Sequence, residues 1–360
     1  MIRPAQVLSL VVAGLVLAGA GAWLVSRHGA DSTAAASGQV LPLKQTDLNA
    51  VTHLRVFKGD GSHTTLTRTA AHWIVTERNY PADTGQVRKF LLDLAALQVE
   101  EQKTTDPSLY AKLNVETPGG AQTSSTGVDI DLNGKTLGLI VGKTSGTRSV
   151  YVRVAGQAQS LLATPQLSPD ADPRHWLDRS ILDIAPDQVT EVSLEPQSGP
   201  TYTVKRAASG AGADYLVTPL PKGRELGDAA APAAQAGVLA GLQLDDVRKA
   251  GTLAAVAHGH FHTRDGLTLD IAGIQEGEQR YITVAASGAR PGAQQKAQDL
   301  NARLSGWEFE VPGYRFDTLF RPLEQLLKPL PSTSPARSRK APHGPVASPD
   351  TSPVGPQQSH

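Results

Sequence analysis

The chain has 360 residues, 40% of them hydrophobic, which is enough for one large domain or two modest domains with real cores. Lysine and arginine number 34, and so do aspartate and glutamate, so no net charge draws the protein to nucleic acid. Cysteine is absent, which excludes disulfides, thiolate nucleophiles and cysteine-based zinc sites. We therefore expect no nucleic-acid partner and no cysteine chemistry.

The N-terminus carries an uncharged apolar run, VLSLVVAGLVLAGAGAWLV, from Val7 to Val25. A transmembrane helix needs about 20 such residues, so residues 7–25 predict a single membrane span. A cleaved signal peptide is the alternative for residues 1–28, because small residues at 18–22 resemble a cleavage site. Both interpretations carry the rest of the chain across the membrane, and residues 29–46 then form a linker.

The C-terminus, residues 329–360, reads PLPSTSPARSRKAPHGPVASPDTSPVGPQQSH. It is rich in proline and nearly free of large apolar side chains, so it cannot bury a core. We expect a disordered tail and a folded part between about residue 40 and residue 328.

Short landmarks recur at an interval of about 140 residues, which predicts a duplicated unit. The paired landmarks are Val51–Leu54 with Val189–Val192, Trp73–Thr76 with Tyr215–Thr218, and Gly127–Ile130 with Gly266–Leu269. The interval places the first unit at residues 47–180 and the second at residues 181–328.

Both units begin with alternating β-branched and polar residues, as in THLRVF, TTLTR and HWIVT and again in TEVSLE, TYTVKR and DYLVT. Such alternation predicts strands, and the Asp265-Gly266 pair predicts a hairpin turn. One helix should follow in each unit: Asp83 and Gln86 have capping-box spacing before an apolar stripe, and Pro232 can open the second helix. We predict an α+β fold with one covering helix on each mainly antiparallel sheet, plus the N-terminal transmembrane helix.

The segments HWIVTERNYPADTGQVRKFLLDLAAL, DPSLYAKLNV and LIVGKTSGTRSVYVRV resemble the bacterial DUF4340 family, whose function is uncharacterised. The resemblance covers residues 47–180 well and continues less closely to WEFEVPGYRFDTLF. It implies a single-pass protein of the bacterial inner membrane with its bulk in the periplasm. Some relatives occur beside ABC-transporter components of the gliding-motility type, so the resemblance suggests transporter subunits as partners. It supplies no catalytic residue and no cofactor.

The stretch AHGHFHTRDG contains His258, His260 and His262 at alternate positions. On a strand these side chains share one face, but the outer two lie roughly 13 Å apart. A zinc ion needs each imidazole nitrogen at about 2.0–2.1 Å, so one ion cannot take all three from a regular strand. We predict a polar strand face with Phe261 on the buried side and no metal site, and retain the three histidines as the candidate ligands of an alternative.

Other signals fall short of known catalytic motifs. Gly142-Lys143-Thr144 resembles the end of a phosphate-binding loop, but Leu137 stands where the motif requires a glycine. Ser145 lacks the preceding glycine of a hydrolase elbow. Asp129 and Asp131 alternate on a strand and point the same way, which fits a solvated sheet face better than an acid pair.

These observations favour a non-catalytic, membrane-anchored accessory protein that binds a protein partner outside the cytoplasm, with no cofactor and no small-molecule substrate. The alternative is an envelope metal-binding or ligand-binding protein, or a hydrolase, that uses the strand of His258, His260 and His262.

Overall fold

The computed structural model describes residues 38–120, 122–207 and 215–329. The predicted span at residues 7–25, residues 29–37 of the predicted linker and residues 330–360 of the predicted tail lie outside the described residues. Within those ranges, no helix has the length and apolar character that a membrane crossing requires.

The described residues form mostly antiparallel sheets with a few helices, in agreement with the α+β prediction. The strands of the first half are β1 (Val51–Lys58), β2 (His63–Arg68), β3 (Trp73–Val75), β4 (Tyr80–Pro81), β5 (Gln98–Gln102), β6 (Thr126–Leu132), β7 (Lys135–Ser145), β8 (Ser149–Val154), β9 (Ser160–Thr164) and β10 (Ser180–Leu182). The strands of the second half are β11 (Val189–Glu195), β12 (Tyr202–Arg206), β13 (Tyr215–Thr218), β14 (Leu242–Gln243), β15 (Asp246–Lys249), β16 (Ala257–Thr263), β17 (Leu267–Glu276), β18 (Gln279–Gly288) and β19 (Trp307–Glu310).

The α-helices are α1 (Thr84–Ala95), α2 (Tyr110–Leu113), α3 (Ala231–Ala236), α4 (Pro291–Leu304) and α5 (Gly313–Leu319). The Asp83 side chain caps α1 by accepting a hydrogen bond from the Gln86 amide at 3.0 Å, as its spacing predicted. Pro232 lies in the first turn of α3, also as predicted. The prediction of one helix per sheet was wrong, since α4 follows β18. Its buried face carries only Ala293, Ala297 and Leu304, which gives a weak apolar stripe.

The two large sheets have matching connectivity. The first has the strand order β4-β3-β2-β1-β6-β7-β8-β9-β5, and the second has the order β13-β12-β11-β16-β17-β18-β19-β15. The first order, started at β3, matches the second order, started at β13, strand by strand. Each strand of the first sheet then has a counterpart whose number is larger by ten, so that β1 corresponds to β11 and β6 to β16. The first sheet has β4 in addition, outside β3.

The register of the strands corrects one of the sequence landmarks. Ile130 on β6 faces Leu54, and Phe261 on β16 faces Val192, which is the counterpart of Leu54. Gly127–Ile130 therefore corresponds to residues 258–261, and the predicted match to Gly266–Leu269 was wrong. Alternation is alike on every strand of a sheet, so it does not reveal which strand is the counterpart of which.

An arginine on the second strand of each sheet makes the same contacts in both halves. Arg68 lies over the Trp73 ring at 5.8 Å and donates to the carbonyls of Leu48 and Asn49, in the 3₁₀ turn before β1. Arg206 lies over the Tyr215 ring at 4.8 Å and donates to the carbonyl of Pro186, just before β11, and to that of Val189, its first residue. The matching connectivity thus extends to side-chain contacts.

The inner faces of the two sheets contribute to one continuous hydrophobic core. Tyr80 of β4 contacts the ring of Trp307 edge-on at a centroid distance of 5.0 Å, so the first half packs directly on the second. Burial raises the pKa of the Tyr80 hydroxyl to about 12. The pairing of β10 with β14 also joins the two halves.

Candidate functional site

The three histidines lie on β16, and their side chains alternate with the core. Phe261 is fully buried at 0% exposure, whereas His258 and His262 are exposed and His260 is half-buried. This matches the sequence prediction of a polar strand face with Phe261 on the inner side. The polar side of β16, with its neighbours on β11 and β17, is called the histidine face below.

His260 lies at the centre of the histidine face. Its Nδ1 lies 2.5 Å from Asp270 Oδ1 on β17, and the register places Ser193 of β11 opposite it on the other side. The Ser193 hydroxyl is hydrogen-bonded to Thr203 Oγ1 at 3.2 Å. Serine, histidine and aspartate thus occur side by side, here called the central row, but the serine hydroxyl is bonded to a threonine.

The flanking rows follow the same cross-strand pattern. His262 Nδ1 lies 3.0 Å from Thr268 Oγ1, and Glu191, opposite His262, forms an ion pair with Lys205 at 2.9 Å. His258 faces Glu195. His260 and His262 therefore each contact a polar side chain of β17, while His258 and Glu195 are opposite each other in the strand register.

Among the residues that the structure describes, no group of three histidine, aspartate or glutamate side chains is placed to hold a metal ion. His260 and Asp270 supply two donors, and a structural zinc site needs four. His53, on β1 of the first half, lies beside a carboxylate of its own sheet, 3.7 Å from Asp131. The geometry brings the three candidate histidines onto one face without bringing them to one point.

Sequence reasoning did not single out Ser193 or Asp270. The sequence does contain a signal for Asp270. In a hairpin centred on Asp265, residues at equal distances on either side of Asp265 face each other, and this places Asp270 opposite His260. Ser193 could not be found in this way, since β11 and β16 are more than 60 residues apart in sequence. The turn itself is as predicted: Gly266 has a φ of +91°, and Asp265 accepts from Lys296 at 2.5 Å.

The near-motifs of the first half have structural roles. Gly142 lies within β7, where an added Cβ would come within 2.3 Å of the Leu113 carbonyl oxygen, so the glycine permits close packing of α2. Gly142-Lys143-Thr144 is therefore part of a strand and not of a phosphate-binding loop. Burial raises the pKa of Asp129, while Asp131 accepts from Thr136 at 2.6 Å.

A cleft of about 420 Å³ separates the turn after β3 from the edge strand β15, between the two halves. The two arginines and the lysine that line it each contact a neighbouring side chain. Arg78 binds Asp246 through two hydrogen bonds of 2.6 and 2.8 Å, and Arg248 binds Glu308 at 2.7 Å. Lys249 lies over the Trp307 ring at 3.4 Å. The ion pair of Arg78 with Asp246 in this cleft therefore links the two halves.

No curated protein and no solved structure matches the chain. The sequence model of one family, described as a domain of unknown function, DUF4340, matches residues 73–258. The matched region begins with β3 of the first sheet and ends on β16 of the second. It covers more than half of the 360 residues. The chain belongs to the DUF4340 family.

Proposed function

We propose that this chain is a non-catalytic interaction protein that binds a protein partner outside the cytoplasm. The observation that carries the proposal is the histidine face. Its titratable side chains lie in rows across the sheet, with His260 bonded to Asp270, and among the described residues no three of them are placed around one point. Catalytic groups need to meet around a reacting atom, whereas polar side chains spread along strands, several of them hydrogen-bonded to one another, suit a protein interface.

The setting rests on the sequence of the N-terminus. Residues 7–25 have the length and composition of a membrane span, which would anchor the folded part at the bacterial inner membrane, on its periplasmic side. ABC-transporter subunits are the first candidates for the partner, by analogy with the setting of some relatives. The C-terminal residues 329–360 would extend the region available for contact.

The proposal includes the duplication of one unit. The matching strand orders support it, as does the repetition of an arginine–aromatic contact at Arg68 with Trp73 and at Arg206 with Tyr215. Two copies of a unit would give one chain two related sheet faces. The first face carries His53 beside Asp131 where the second carries His262 beside Glu191.

The test is affinity purification of the full-length chain from bacterial membranes in gentle detergent, followed by identification of the proteins recovered. We expect one or more proteins at a constant ratio to the chain. The control is Leu253→Lys, which changes an exposed loop residue away from the histidine face and should leave recovery unchanged. Recovery of no protein above the level of an unrelated anchored protein would contradict the proposal.

The central row supports a second candidate, a hydrolase, because Ser193, His260 and Asp270 are the residue types of a catalytic triad. This candidate requires the Ser193 hydroxyl to leave Thr203 and donate to His260. It predicts that the purified chain reacts with an active-site-directed fluorophosphonate probe and that Ser193→Ala abolishes the labelling. Equal labelling of the wild-type chain and Ser193→Ala would exclude it.

A further inference from the structure

A cavity of about 410 Å³ lies where α1, the ends of β2 and β3, and the 3₁₀ turn at Gln45–Ala50 meet. We call it the arginine cavity, because Arg68 of β2 and Arg88 of α1 both line it. Part of its wall is apolar: Trp73 and Leu91 line it and are 6% and 3% exposed. Small-molecule sites have volumes of about 300–1,000 Å³ and combine apolar walls with a few polar groups, so this cavity has the size and composition of a ligand site.

The charged residues that line the arginine cavity are both positive. The Arg88 side chain is exposed and makes no ion pair or hydrogen bond with any other residue that the structure describes. Arg68 donates from Nη1 to the carbonyls of Leu48 and Asn49, at 3.2 and 3.0 Å, and lies over the Trp73 ring, so its guanidinium is held in place. Neither arginine has a carboxylate partner within the described ranges. The cavity therefore presents positive charge that the surrounding residues do not pair.

The acidic residues next to the cavity in sequence are engaged elsewhere. Asp47 and Asp83 accept hydrogen bonds from backbone amides, at 3.2 and 3.0 Å, and Asp93 pairs with Lys89 at 2.6 Å. None of these three carboxylates lines the cavity. The cleft between the two halves differs in this respect, because its lining includes carboxylates as well as arginines. The arginine cavity is therefore suited to an anion, whereas that cleft is neutralised by its own side chains.

The second half of the chain lacks this arrangement. Arg206, the counterpart of Arg68, bonds through Nη2 to the Tyr215 hydroxyl at 2.5 Å and to the Pro186 carbonyl at 2.8 Å. Helix α3, which follows β13 in the second half, has the sequence APAAQA and carries no charged residue. The second arginine and its unpaired charge are thus found in the first half alone. The shared connectivity of the two sheets does not require them, which favours a role in binding.

We propose that the arginine cavity binds a small organic carboxylate that carries an apolar group. The carboxylate binds the Arg88 guanidinium, whose planar fork of donors matches two carboxylate oxygens, and Arg68 supplies a second positive charge. The apolar group contacts Trp73 and Leu91. A ligand with a single negative charge is favoured, because one guanidinium is free while the other already donates to backbone carbonyls. The inference goes beyond the proposed function, since this ligand does not depend on a protein partner.

The first test is isothermal titration calorimetry of the full-length chain in detergent, with 4-phenylbutyrate as the probe. This probe combines one carboxylate with an apolar ring. Its amide, 4-phenylbutyramide, has nearly the same shape without the charge, and acetate has the charge without the ring. We expect each of the two to bind at least about tenfold more weakly than 4-phenylbutyrate, because the first loses the charge-assisted hydrogen bonds and the second loses the apolar contact. Equal affinities for the acid and its amide, or no binding of 4-phenylbutyrate, would overturn the inference.

The matched variants for this titration are Arg88→Gln and Lys89→Gln. Both remove one positive charge from α1, but Lys89 does not line the arginine cavity. We expect Arg88→Gln to weaken binding of 4-phenylbutyrate about tenfold and Lys89→Gln to change it less than about twofold. Partition of the probe into detergent micelles is the same for both variants and cancels in the comparison. Equal affinities of the two variants would overturn the inference.

The second test localises the probe and uses the absence of cysteine from the chain, which makes a single introduced thiol unique. Asn49→Cys places the thiol on the lining of the arginine cavity, and Lys89→Cys places it on the lining of a different cavity. At ten times its dissociation constant, 4-phenylbutyrate should slow alkylation of Asn49→Cys by iodoacetamide about tenfold, because about one site in ten is then empty. Alkylation of Lys89→Cys should be unchanged. Equal protection of both thiols, or protection of Lys89→Cys alone, would overturn the inference.

Discussion

Replacing Arg78 with methionine should destabilise the fold, because this guanidinium joins the two halves. Its two hydrogen bonds to Asp246, at 2.6 and 2.8 Å, are charge-assisted, and the side chains of the pair are 30% and 19% exposed. Removing one partner of a fully buried pair costs about 3–5 kcal/mol, and exposed pairs contribute about 0–1 kcal/mol. The partial exposure of this pair places the expected loss near 2 kcal/mol.

The assay measures the free energy of unfolding of the full-length chain by urea denaturation, with Arg174→Met as the control. Arg174 pairs with Asp172 at 2.6 Å, but their side chains are 57% and 39% exposed, so its loss should cost less than about 0.5 kcal/mol. A double-mutant cycle of Arg78→Met with Asp246→Asn should give a coupling energy above about 1 kcal/mol. Equal losses for Arg78→Met and Arg174→Met would refute the reasoning that the two halves depend on this contact.

Three further predictions test the second half of the chain. Hydrogen bonds from Lys296 and Thr263 lower the pKa of Asp265 to about 2, so Asp265→Asn should lose about 0.5 kcal/mol above pH 4, and the difference should shrink as the pH falls toward 2 and vanish below it. Gly273→Ala should destabilise by about 1–3 kcal/mol, because the new Cβ would lie 2.5 Å from a phenylalanine ring, whereas Gly292→Ala has open space and should gain about 0.5 kcal/mol. Phe261→Ala should cost about 3–5 kcal/mol and His260→Ala less than about 1 kcal/mol, since only the phenylalanine is in the core.

Each of these predictions has a clear contrary result in denaturation measurements. A pH-independent effect of Asp265→Asn would mean that its carboxylate is not held in the charged form by the folded state. A neutral Gly273→Ala would mean that the rings beside it move away at little cost. A loss for His260→Ala as large as that for Phe261→Ala would place His260 in a structural role that its half-exposed position does not predict.

The sequence predicted the parts of the fold whose signal is local. The strands of HWIVT and TEVSLE, the cap at Asp83 and the turn at Asp265 all depend on residues within a few positions of one another. Strand β5, with the sequence QVEEQ, was missed because its edge position leaves four of its five side chains exposed. Helix α4 was missed because small alanines form most of its buried face.

The candidate site was predicted in part, for the same reason. The alternation of His258, His260 and His262 placed them on one face, opposite Phe261. The contacts of Ser193 and Asp270 with that face depend on strand order and register. Register between distant strands is set by core packing across the whole sheet, and a single stretch of sequence does not contain it.

The most direct test of the central claim is native mass spectrometry of the full-length chain released from membranes in gentle detergent, because one spectrum reports both protein partners and bound metal. We expect an assembly whose mass equals the chain plus at least one other protein subunit. We also expect the wild-type chain and His260→Ala to carry the same amount of metal. A spectrum of the chain alone carrying a stoichiometric metal ion, absent from His260→Ala, would contradict the account and favour the metal-binding alternative.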